Sequence, residues 1–235
     1  MTNRQRPPSL PDQVQVFADD LGTLLNGVFR DAPSIVVTKV EPNYVVHPQG
    51  QAGKVGGVPL TINNHRLASL RVTYHCHLDS HQAWLAVQAS KEWVVAEVDS
   101  TPIIRFDYRR KATSEPTSHI QIHAHRGALS HLLSRANRPN PHDMSYVRIP
   151  TGGARFRPCL ADVVQMLITQ IGVDALDGWQ EVVEQSRSQF RAVQLKAMVR
   201  NQTELAAEAL ENEGYTVTRP PGGVPEPGQK SLTVW

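Results

Sequence analysis

Residues 118–126 read Ser-His-Ile-Gln-Ile-His-Ala-His-Arg, and from His119 to His125 polar and apolar side chains alternate strictly. Successive side chains of a β-strand point to opposite faces, whereas a helix repeats every 3.6 residues, so this pattern specifies a strand with two unlike faces. His119, Gln121, His123 and His125 share one face, with Ile120, Ile122 and Ala124 on the other. Val72-Thr73-Tyr74-His75-Cys76-His77-Leu78 repeats the arrangement, placing Thr73, His75 and His77 together. Ile103 to Arg109 sets Arg105, Asp107 and Arg109 against Ile104, Phe106 and Tyr108. If the three strands share a sheet, one face carries imidazoles, guanidiniums and a carboxylate. A face that need only be wet usually carries Lys, Glu, Ser and Thr; this set suits proton transfer or anion binding.

The rest of the chain supplies a frame for that sheet. Pro11 fits a first helical position, and Val14, Phe17, Leu21, Leu24, Leu25 and Val28 recur at helical steps up to Arg30. Short strands are expected over Ile35 to Val40 and Tyr44 to Val46, then a Gly-rich loop over Gln49 to Pro59. Lys54 in that loop is followed by Val55 rather than Ser or Thr, so no phosphate loop is present. Strand-length segments follow at Leu67 to Leu78, Ala83 to Ser90, Trp93 to Val98, Ile103 to Arg109 and His119 to Arg126. A long connection reaches Gly153, with a short helix expected over Ala128 to Arg135. A helix opened by Pro158 should stop at Gly172, and Asp177 with Gln180 resembles a capping box for a further helix. That helix should bend near Arg200-Asn201 and restart at Thr203. The expected class is therefore α+β, a mainly antiparallel meander with an N-terminal helix and C-terminal helices. The divisions are a flexible leader over 1–10, an α+β core over 11–172, a helical extension over 173–214 and a Pro/Gly-rich tail over 215–235.

Charge is unevenly spread along this frame. The formal net charge is +2. Yet the stretch from Arg105 to Arg157 holds nine arginines and one lysine against Asp107, Glu115 and Asp143, which leaves the remainder acidic. A basic middle suits a partner with phosphates or an acidic protein, or is simply a solvated face. The only cysteines, Cys76 and Cys159, exclude a disulfide framework and point to the cytoplasm. No apolar run approaches the ~18 residues of a membrane span, and no signal-peptide pattern opens the chain.

Two chemistries fit the histidine face. Without a metal, His119, His123 and His125 supply proton transfer, Arg105 and Asp107 position groups, and Arg109, Arg110, Lys111, Arg126, Arg155 and Arg157 bind phosphates, as ribonucleolytic cleavage would need. With one, His75, His77, His123 and His125 are ligands for zinc, although no specific zinc signature occurs. A polar sheet face with structural hydrogen bonds is the plain alternative. Cys159, near a helix start, reads as a small packed residue, and no GxSxG is present.

Ile103-Ile-Arg-Phe-Asp107, a break, His119 to Arg126 and the apolar helix after Pro158 together resemble the TumE-like toxin family, over roughly Arg71 to Ile171. Tyr108 stands where that family often has Asn, and the outer helices and tail have no counterpart in it. The resemblance implies a growth-inhibiting member of a toxin–antitoxin pair, acting on RNA and neutralised by an antitoxin-like partner. It highlights Arg105, Asp107, His123, His125 and Arg126. The expectation is thus a cytoplasmic, RNA-cleaving or RNA-binding effector without a cofactor. The alternatives are a metal-binding enzyme with His-X-His ligands, and a non-catalytic module whose C-terminal helices bind a partner.

Overall fold

Alternation in the sequence becomes a sheet with one helix-covered face. The structure, a computed structural model, describes residues 7–124 and 157–223, together with 127, 130, 134–135, 139–144 and 148–151. His125, Arg126, Arg155, most of the helix expected over 128–135 and the end of the tail from residue 224 lie outside the described residues.

Helix α1 spans Leu10–Val28, with Ser9 as N-cap and Pro11 in the first turn. Strands β1 (Ile35–Val40), β2 (Asn43–Pro48), β3 (Val58–Ile62), β4 (His65–Leu78), β5 (Leu85–Ala96), β6 (Pro102–Arg109), β7 (Ser118–Ile122) and β8 (Ile149–Pro150) follow. They form one sheet in the order β1-β2-β4-β5-β6-β7-β8, with β3 also on β4, and every pairing is antiparallel. Helix α2 (Leu160–Met166) runs into a π-helical turn that stops at Gly172 in the left-handed region, φ 84°. Helices α3 (Trp179–Asn201) and α4 (Thr203–Asn212) complete the described chain. The fold is α+β.

Strand β4 organises the sheet because its 14 residues serve three neighbours. Its first half pairs with β3, its second half with β2, and its other edge with β5 along nearly its whole length. One face of these strands, carrying Val46, Val58, Leu60, Leu70, Val72, Tyr74, Cys76 and Val94, packs on the apolar stripe of α1 and on Leu160, Val163, Val164 and Leu167 of the α2 region. Val183 of α3 is 1% exposed within the same core, with Trp179, Val182 and Phe190 packed against it. The first half of α3 is therefore part of the core. Gly27 makes this approach possible: a Cβ there would stand 2.9 Å from Val182 Cγ1.

Four local expectations need correction. Val58–Ile62 is a strand, closed onto β4 by Asn63 and Asn64 at φ 52° and 63°, the left-handed pair of a tight hairpin. The carboxylate of Asp174 fixes that turn by accepting from the backbone N–H groups of Asn63 (3.1 Å) and Asn64 (2.8 Å). The two strands expected at Ala83 to Ser90 and Trp93 to Val98 are one, because Lys91-Glu92 continues the alternation instead of turning. Strand β7 ends at Ile122, although His123 N–H still donates to Ile103 O at 2.9 Å. Finally, α3 is capped by Gly178 at φ 77° with no side-chain cap, so Asp177 and Gln180 form no capping box.

Candidate functional site on the outer sheet face

The register fixes which side chains meet on the face turned away from the helices. Arg71 of β4 pairs with Trp93 of β5, Trp93 with Arg105 of β6, and Arg105 with Gln121 of β7. The neighbouring row runs Thr73, Lys91, Asp107 and His119, and reaches Pro150 of β8. Opposed residues of antiparallel strands share a face, so each row is contiguous. His75 and Arg109 both pair with Ala89, on either side of it. The three segments read from the sequence as alternating do lie in one sheet, with their polar sides together.

At the centre of this face is a bonded group. Trp93 Nε1–H donates to Asp107 Oδ1 at 2.9 Å, and Arg105 Nη2 pairs with Asp107 Oδ2 at 2.9 Å. The Arg105 guanidinium lies over the Trp93 ring at 4.3 Å from its centroid, and Lys91 Nζ at 5.1 Å. The ring's electron-rich face favours both cations. Asp107 is thus committed to orienting Trp93 and Arg105. Arg105 Nε is buried without a hydrogen-bond partner among the described residues, and so are His77 Nε2 and His123 Nε2. Buried polar atoms left without partners are uncommon, and the Arg105 nitrogen, always a donor, is one an incoming acceptor would satisfy.

The histidines occupy different environments. His119 is 2% exposed, and its Nδ1–H donates to the Pro116 carbonyl at 2.9 Å, which fixes the tautomer because a carbonyl only accepts. His75 and His77 are half-buried, and burial holds both below the ordinary imidazole range. The positive charge of Lys91 adds to this at His75, and those of Arg110 and Lys111 at His77. Both are neutral at pH 7. His123, half-buried, follows the end of β7. Two strands separate β7 from β4, so His123 stands on the order of 14 Å across the sheet from His75 and His77. That spacing is too wide for one ion, and among the described residues no three His, Cys, Asp or Glu side chains are placed to hold a metal.

The basic residues divide between the two faces. Arg71, Lys91 and Arg109 are exposed on or beside the outer rows. Glu115 pairs with Arg148 at 2.8 Å and lies 3.7 Å from Arg109. Lys111 is exposed in the turn after β6. Arg110 and Arg157 instead line a cleft on the helix side. The phosphate-binding set expected from sequence is therefore not a single patch. Sequence reasoning also missed Trp93, Lys91 and Arg71, although Trp93 is in phase with Lys91, and Arg71 with Thr73, His75 and His77, along their strands.

Glu92 is a second feature the sequence reading passed over. It faces the core, 1% exposed, and the Tyr74 hydroxyl donates to its Oε1 at 2.7 Å. Burial pushes its carboxyl up to about 7, against the opposing pull of the nearby Arg157 charge. Cys76 is buried on the same side, its thiol pushed by burial up to about 12, and Cys159 is raised by burial as well. Neither is an activated nucleophile.

Comparison with protein-family models, curated proteins and solved structures finds no match to this chain. No helix among the described residues is long and apolar enough to cross a membrane.

Proposed function

We propose that this protein binds single-stranded RNA on the outer face of its sheet, as the RNA-directed effector of a growth-inhibiting pair. The observation that carries the binding step is the row Arg71–Trp93–Arg105 beside Lys91, which places an indole among cations on a surface built from three adjacent strands. Single strands are held by such surfaces, because cations track the phosphates and aromatic rings stack on bases of any sequence. The unpartnered Arg105 Nε is a donor that a phosphate oxygen would satisfy.

Cleavage of the bound strand and neutralisation by an antitoxin-like protein are the finer parts of the proposal, supported by the resemblance of the Arg105-Phe-Asp107 strand and the histidine strand to TumE-like toxins. In such a reaction neutral His75 or His77 could accept a proton, while His119, held by Pro116, would position rather than exchange one. Anisotropy of a labelled single-stranded RNA, titrated across a range of salt, tests the binding step. Replacing Arg71, Lys91 and Arg109 with Gln should weaken binding and reduce the log–log salt slope by about 2, at ~0.7 per phosphate contact. Absence of binding at low ionic strength, or a slope that these changes leave intact, would contradict it.

A further inference from the structure

Between α1, α3 and the helix-side face of β5 and β6 lies a cleft of about 180 Å³ that the outer-face reading does not use. A cavity of ~150 Å³ is enough to admit a benzene-sized molecule. One wall is apolar, formed by Phe17, Leu85, Val87, Phe190 and Val193. The other carries Arg110, Arg157 and Arg200, none of which forms an ion pair among the described residues. Arg157 lies over the rings of Tyr74 (5.3 Å) and Phe190 (5.1 Å), and Arg200 over Trp84 (4.9 Å). Stacking of this kind engages the flat face of a guanidinium and leaves its in-plane N–H donors for an oxyanion.

Two carboxylates also line the cleft, and among the described residues neither is ion-paired with any of the three guanidiniums. Asp79 already accepts from the backbone N–H groups of His81, Ala83 and Trp84. Asp20 sits at the exposed mouth on α1. Glu92, fully buried nearby, is bonded to Tyr74 and forms no ion pair with Arg157. Its Oε2 is left without a partner among the described residues, so the polar group around Arg157 is incomplete as it stands. An apolar pocket with a few convergent polar groups is the usual form of a small-molecule site.

We infer that this cleft binds a small organic carboxylate with an aromatic or compact aliphatic body, its oxyanion on Arg157 and the body against Phe17, Phe190 and Val193.

Phenylacetate is a suitable probe, with benzyl alcohol and inorganic phosphate as the body-only and head-only complements. Calorimetric titration of the full chain should show saturable phenylacetate binding with a matching rise in melting temperature, and at least tenfold weaker binding of both complements. Arg157→Gln should weaken phenylacetate about tenfold or more. Because Arg157 also packs on two rings, Val193→Trp provides the second variant: Val193 is 57% exposed, so the fold tolerates the larger group while it fills the cleft. It should abolish binding, whereas Arg109→Gln on the outer face should leave it unchanged. No saturable binding, binding that survives Val193→Trp, or phosphate binding as tight as phenylacetate would each overturn the assignment.

Discussion

Replacing Glu92 with Gln should stabilise the protein at alkaline pH and leave it unchanged at acid pH. Glu92 is in phase with Ser90 and Val94 on the core side of β5 and has a folded-state value of about 7, against 4.5 for the free side chain. The sign follows from proton binding. Between these two pH values the unfolded chain releases a proton that the folded chain keeps, so stability falls as pH rises through this window and is level above it. Below about 4.5 both states are protonated and the contribution vanishes. At ~1.4 kcal/mol per unit, the loss by pH 8 is roughly 3 kcal/mol, with the side chain fully buried and unscreened by solvent. Gln keeps an Oε1 acceptor for the Tyr74 hydroxyl and carries no charge at any pH. Urea denaturation followed by circular dichroism should therefore give equal stabilities at pH 4.5 and an advantage of about 3 kcal/mol to Glu92→Gln at pH 8. A stability difference independent of pH would refute the reasoning, because it would mean that Glu92 does not stay protonated in the folded chain.

Other substitutions test the packing and the central bonded group. Gly27→Ala should lower stability by about 1–2 kcal/mol in the same denaturation assay, since its Cβ would meet the stiff Val182 side chain at 2.9 Å and outweigh the helix-propensity gain. Asn64→Ala should cost roughly 1 kcal/mol by the same measurement, because the hairpin turn needs φ 63° there, while Asn64→Gly should be tolerated. Asp107→Leu should cost about 1–3 kcal/mol and raise the mobility of the Trp93 ring, read as a fall in fluorescence anisotropy of a single-tryptophan version, by removing the acceptor of both Trp93 and Arg105.

The outer face was legible in the sequence because a half-buried strand writes its two faces directly as alternation. His119, Arg105 and His75 were all placed on the right side by that rule alone. The same rule, applied one residue further, separates Arg110 from Arg109 and Glu92 from Lys91, and so would have put Arg110 and Glu92 on the helix side. Burial was not legible, because alternation gives the direction of a side chain and not what covers it: His119 is nearly inaccessible although it belongs to the polar face. The helices were read from the spacing of Val14 to Val28 and of Leu160 to Leu167, where a single apolar stripe meets the sheet. Strand β3 escaped because Val58–Ile62 is short and follows a glycine-rich loop; the Asn63-Asn64 pair, both able to adopt positive φ, was the available signal. The start of α3 was read one residue early, as a capping box at Asp177, because its cap is the backbone of Gly178 and not a side chain.

The central claim, that RNA lies across the outer sheet face, is tested most directly by ultraviolet cross-linking of the full protein to a short single-stranded RNA, with the attachment sites mapped by mass spectrometry. The account predicts adducts on the peptides carrying Arg71 to His77, Lys91 to Trp93 and Arg105 to Arg109, lost on Trp93→Ala with Lys91→Gln. Adducts confined to α3 or to the cleft around Arg157, or an unchanged pattern in that double variant, would contradict it.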